Sequence, residues 1–155
     1  MNKLILLALV GASTLSGCVG NDSSAAFIGT WQYGAGSTST LTCTGSAPRV
    51  SNNTGTFQLA AGTESDIIEV PDAGDTCAPT KFNISGSTAT VVPGQSCTTR
   101  GAGRTTVASL SLYTFTLSAD GKSLTLTAAG SATVSGTTSV TCTVSLMANA
   151  TKVGN

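Results

Sequence analysis

Five cysteines, Cys18, Cys43, Cys77, Cys97 and Cys142, are the side chains in this sequence best suited to covalent chemistry. Cys18 stands apart, at the end of an apolar N-terminal run, and leaves four others. Four thiols in an oxidising compartment suggest two disulfides, with three possible connectivities. Residues 82–92 (FNISGSTATVV) read as a hairpin turning at Ser85, Gly86 and Ser87. Cys77 and Cys97 lie on either side of Ser87, so the hairpin would bring them together. Cys77–Cys97 is therefore the first pairing, and Cys43–Cys142 follows by elimination. Cys43 and Cys142 both fall on the apolar parity of alternating segments, beside Leu41 and beside Val140, Val144 and Leu146. The competing four-thiolate metal centre lacks any paired CxxC spacing, and no metal or other cofactor is expected.

The remaining polar residues offer little reaction chemistry. There is no histidine, which removes His-based triads, His metal sites and imidazole acid–base catalysis. Ser and Thr number 47, but no general base accompanies any of them in sequence, so no catalytic residue is assigned and the chain reads as no enzyme. Five of the seven acids, Glu64, Asp66, Glu69, Asp72 and Asp75, fall within twelve residues. They read as a solvated acidic edge strand, in preference to an oxygen ligand set for Ca²⁺. Arg100 and Arg104 flank a Gly-Ala-Gly segment that reads as a flexible loop; it lacks the lysine and strand–helix context of a phosphate-binding loop. Trp31, Tyr33 and Phe57 are the candidate lining of an apolar ligand cavity, against the simpler alternative of core packing. Beyond residue 17 the chain keeps six bases and seven acids, a formal charge of −1, so no nucleic-acid partner is expected.

The N-terminus carries an address. Met1, Asn2 and Lys3 form a short positive segment, Leu4 to Leu15 are an apolar run too short to span a bilayer comfortably, and Leu15-Ser16-Gly17-Cys18 follows. That tetrapeptide resembles the lipobox of bacterial lipoproteins. The resemblance implies cleavage between Gly17 and Cys18, diacylglyceryl transfer to the Cys18 thiol and a further acyl chain (palmitate or similar) on its amine. Two or more chains anchor stably, at about 0.8 kcal/mol per buried CH₂. Val19 stands where inner-membrane retention signals carry Asp, so the same resemblance implies the outer membrane, with the membrane lipid as first partner. Residues 1–17 are then the signal peptide, with its signal helix, 18–26 the lipidated cysteine and a flexible tether, and 27–155 a single β domain.

That domain reads as strand after strand. Charged residues make up only 9% of the chain, too few for amphipathic surface helices, and threonine favours strands. Alternation marks strands at 28–33, 38–43, 54–61, 66–70, the 80–92 hairpin, 105–117, 123–135 and 138–150. Residues 47–53 and 71–76 read as loops. Apolar parity in 105–117 switches from even at Leu110 and Leu112 to odd at Tyr113, Phe115 and Leu117, which predicts a bulge near 112–113. Some eight to ten strands joined by short turns form an all-β antiparallel meander, barrel-like or, as the alternative, a sandwich. Gly29-Thr30-Trp31 is similar to the Gly-x-Trp signature of lipocalins, and the 114–130 hairpin looks like a closing hairpin of such a barrel. The arginine that packs on that tryptophan in lipocalins has no counterpart; Lys152 is the only late base. The whole chain also resembles small Thr/Gly-rich lipoproteins of myxobacteria, a likeness that implies location and no chemistry. The expected function is a non-enzymatic structural or partner-binding role in the cell envelope, with an envelope protein as partner. The alternative is a lipocalin-like carrier of a small apolar ligand.

Overall fold

The computed structural model describes residues 23–72, 76–101 and 103–155. The signal helix, Gly17 and Cys18 therefore lie outside the described residues, as does Asp75. Among the described residues the fold is all-β: one short helix, α1 (Ser23–Phe27), precedes eleven strands. These are β1 (Gly29–Tyr33), β2 (Thr38–Cys43), β3 (Arg49–Asn52), β4 (Thr56–Ala61), β5 (Ile67–Val70), β6 (Thr80–Ser85), β7 (Thr88–Val91), β8 (Ser96–Gly101), β9 (Arg104–Leu117), β10 (Ser123–Ser135) and β11 (Ser139–Gly154).

Eight strands close into an antiparallel barrel in the order β1-β4-β5-β6-β7-β9-β10-β11, with β11 returning to β1. The barrel, not the sandwich, is the architecture. Closure leaves no free edge among those eight strands, which matters for a sequence so rich in β-formers. The last three strands run on past the barrel. The first half of β9, the second half of β10 and the first half of β11 continue as a ladder, which β8 extends on one side and β2 and β3 on the other. The result is a six-stranded blade, β8-β9-β10-β11-β2-β3, projecting from one barrel mouth. Two of its strands depart from expectation. Residues 47–53 read as a loop, yet Arg49 to Asn52 pair with Leu41 to Thr38. The supposed flexible loop around Arg100 is the end of β8, paired with Thr105. Apart from Val50 both segments are polar, and strands exposed on both faces carry no hydrophobic alternation to read.

The bulge sits at Ser111. Leu112 pairs with Ala129 and Leu110 with Gly130, which leaves Ser111 as the extra residue, its hydroxyl donating to the Ala129 carbonyl at 3.1 Å. The inserted residue reverses the parity of β9, so that Leu110 on the blade and Tyr113 in the barrel share one face. A Cβ on residue 130 would overlap the Ser109 carbonyl oxygen, which is why glycine stands there. At the far turn, the Asp120 carboxylate accepts from the Ser118 hydroxyl and the Lys122 amide, which together hold its carboxyl below the ordinary range.

The barrel interior is filled. Trp31, Phe82, Phe115, Leu59, Ile67, Leu124 and Leu126 are fully buried in it, and the smaller Ala89, Ala128, Ala148 and Ala150 complete the layers. Phe27 closes one end. It belongs to α1, where a flexible tether was expected, and the helix is fixed by tertiary contacts: Trp31 Nε1 donates to the Phe27 carbonyl at 2.8 Å and Lys152 Nζ to the Ala26 carbonyl at 3.3 Å. The same ammonium lies 5.6 Å over the Trp31 ring.

Both expected disulfides form. Cys43 and Cys142 are direct cross-strand partners on β2 and β11, fastening the blade across 99 residues of sequence. Closing a loop that long contributes roughly 4–5 kcal/mol in the chain-entropy model. Cys77–Cys97 ties the approach to β6 to β8. Gln95 assists it, since its side chain accepts from the Lys81 amide and donates to the Lys81 and Val92 carbonyls.

Candidate functional site

Side chains that alternate into a barrel meet at its two mouths, and here the two mouths differ. The α1 end is sealed by Phe27. At the blade end β1, β4 and β5 stop short while β9, β10 and β11 continue, so the wall is low on one side. A cavity of about 280 Å³ opens there, lined by Tyr33, Thr54, Thr56, Phe57, Glu69, Val70, Pro71, Asp72, Cys77, Ala78 and Thr80.

Its aromatic floor is continuous. The Tyr33 and Phe57 rings are 4.9 Å apart, Phe57 stacks on Phe115 at 5.9 Å, and Phe115 meets Tyr113 at 4.8 Å. Glu69 enters from β5. Ile67 is fully buried on the inner face, and Glu69, two residues on, follows it inward with period two. Its carboxylate accepts from the Tyr113 hydroxyl at 3.4 Å, and Tyr33 hydrogen-bonds in turn to Tyr113. Burial pushes the Glu69 carboxyl up to about 7, against the lowering effect of the Tyr113 bond, and the nearby Asp72 charge adds to the rise. Burial also raises the two phenols, Tyr33 to about 12 and Tyr113 well above its ordinary value, with the Glu69 charge as the next cause.

The sequence-selected residues divide. Tyr33 and Phe57 line the cavity as expected. Trp31 lies deeper, fully buried against α1, and takes no part in it. The acidic run is not one solvated edge, because β5 is an interior strand paired with both β4 and β6. Glu64 forms a surface ion pair with Lys81, Asp66 accepts from the Ile84 amide, Glu69 turns inward and Asp72 stands at the mouth. Arg100 and Arg104 also separate. Arg104, with Arg49, borders a different cavity of about 280 Å³ at the blade tip, over the Cys43–Cys142 bridge, and Arg100 does not reach it. A wider groove of about 660 Å³ runs beside the Cys77–Cys97 bridge between the β6–β7 hairpin and β8.

Sequence reasoning missed Glu69 and Tyr113 as partners. The parity of Ile67 and Glu69 was the available signal, hidden by four neighbouring acids that suggested solvent. No known protein family, characterised protein or solved structure matches the chain. Among the described residues, no group of three or more His, Cys, Asp and Glu side chains could hold a metal ion. The mouth presents acceptors, hydroxyls and aromatic faces, a composition suited to holding a small molecule.

Proposed function

We propose that this chain is an exported lipoprotein, anchored through acylated Cys18 to the outer membrane, with a non-enzymatic binding role in the cell envelope. The observation that carries the non-enzymatic, contact-making reading is the filled barrel: aromatic and aliphatic side chains occupy its interior from α1 to the Tyr33–Phe57 layer. A solid barrel is a scaffold that displays surfaces, and the blade is the surface it displays. The two disulfides support export, since such bonds persist in oxidising compartments.

Geometry supports the anchored reading in a second way. The N-terminal helix α1 packs on β4 and β6 at the barrel end remote from the blade. An anchor a few residues upstream puts the membrane beneath that end. β11, with 16 residues, rises about 50 Å from there to the blade tip. The carrier alternative draws support from Lys152 over Trp31: a late base packs on the tryptophan, as the lipocalin resemblance implies, although it is a lysine and not the family's arginine. The filled interior leaves such a carrier only the shallow mouth as its cargo site.

Mass spectrometry of protein extracted from its own membranes tests both parts. Under denaturing conditions the chain is expected to begin at Cys18 with added acyl mass. Under native conditions it is expected to carry no co-purified apolar molecule. An N-terminus at Met1, or a bare Cys18, removes the anchor, and a retained lipid restores the carrier.

A further inference from the structure

We propose that the barrel-mouth cavity is a binding site for a small organic cation, an alkylammonium, held against the packed aromatic pair of Tyr33 and Phe57 by the carboxylates of Glu69 and Asp72. The site goes beyond the envelope role above and does not depend on the anchor.

The case rests on what lines the cavity and on what does not. Among the described residues the charged side chains in the lining are Glu69 and Asp72, both acids, with no Lys or Arg. The nearest base along the chain, Lys81, is committed to Glu64 outside the mouth. Aromatic faces carry negative electrostatic potential and attract cations within about 6 Å of the ring centre. Tyr33 and Phe57, packed on each other at 4.9 Å, present one aromatic wall of the cavity, with Tyr33 half-buried. An anion would meet repulsion on every side. An apolar ligand would bury the Glu69 carboxylate without a new partner, at a cost an ammonium does not incur. Hard divalent ions take about six to eight oxygen ligands, whereas the described lining supplies two carboxylates with Thr and Tyr hydroxyls beside them. A volume of about 280 Å³ limits the ligand to a small one, and the floor of Phe115 and Tyr113 stops it at the mouth.

Binding is coupled to proton loss. The titratable groups facing the ligand are Glu69 of β5, Asp72 beyond it, Tyr33 of β1 and Tyr113 of β9. The two phenols stay neutral through the physiological range, because burial raises both. Glu69, with its carboxyl near 7, is the group that changes charge there. Affinity for a cation therefore rises with pH through about 7 and levels off above it.

The test is calorimetry on the full chain in non-ionic detergent, with choline as the probe and 3,3-dimethylbutan-1-ol as its neutral isostere. Choline is expected to bind about tenfold more tightly than the alcohol at pH 8, and about fivefold more tightly at pH 8 than at pH 6, in line with one cation–π contact and one ionising carboxylate. Glu69→Gln is expected to abolish the pH dependence and weaken choline by about tenfold; Asp72→Asn, at an exposed position, weakens it by about threefold and serves as the readout if the first variant fails to fold. Glu64→Gln, outside the mouth, leaves binding unchanged. Equal binding of the alcohol overturns the proposal. So does tighter binding of calcium or butyrate than of choline, or the absence of choline binding at pH 8 in folded protein.

Discussion

Glu69 carries a carboxyl group into a wall of aromatic rings, and that placement makes stability depend on pH in an unusual direction. Unfolded, the group titrates at its ordinary value of 4.5; folded, it is pushed up to about 7, chiefly by burial. Between those values the folded state holds more protons than the unfolded one, so stability falls as pH rises. Below the unfolded value both states are protonated, and above the folded value both are ionised, so the curve flattens at each end. The full span is about 3 kcal/mol for a shift of this size. Urea denaturation at pH 5 and pH 8 is expected to show the acid condition as the more stable, and Glu69→Gln to reduce the difference and raise stability at pH 8. Other carboxylates oppose this trend: Glu64, lowered by Lys81, and Asp120, lowered by Ser118, favour the folded state as pH rises. Both are on the surface, and the comparison of the variant with the parent isolates Glu69.

At the scale of elements, the molecule depends on one inserted residue. Ser111 lets β9 serve two structures, keeping Tyr113 and Phe115 inside the barrel while Leu110 faces the same side on the blade. Gly130 is the other half of that device, because the bulged strand brings the Ser109 carbonyl against its α-carbon. Gly130→Ala is expected to destabilise by about 1–3 kcal/mol, the usual cost of forcing an extra methyl into a packed contact. Denaturant titration measures it. Ala129→Gly, one residue away and partly exposed, serves as the comparison with no such overlap. A neutral Gly130→Ala would mean that the bulge relaxes without cost.

The whole molecule is a barrel and a blade that share three long strands. No linker separates them, and the Cys43–Cys142 bridge fastens β2 to the shared β11. Continuous ladders between β9, β10 and β11 run from the turn at 118–122 to the blade tip. The two parts are therefore expected to unfold together. Trp31 fluorescence reports the α1 end, and a fluorophore attached at position 137 reports the blade tip about 50 Å away. Coincident midpoints in one denaturant series support a single cooperative unit. A blade that melts first would show that the shared strands do not couple the two parts.

Much of this architecture was legible from residue order. The alternation of β1, β2, β4, β6, β7 and β10 and the parity reversal in β9 follow from side chains that must choose between two faces; the turns at 86 and 119–122 follow from their turn residues, and the disulfide pairings from the hairpin about Ser87 and elimination. Those are local facts, because a strand's period is two and each buried residue fixes the parity of its neighbours. Tertiary structure decided what alternation cannot express. β3 and the end of β8 are exposed on both faces and became strands because β2 and β9 offered them free edges. α1 is five residues long, too short to hold by itself, and exists because Trp31 and Lys152 bond to its carbonyls. Glu69 lies among acids in the chain and among aromatic rings in space. Which barrel mouth is low, and hence where a charge meets Tyr33 and Phe57, depends on strand lengths that closure alone brings into register.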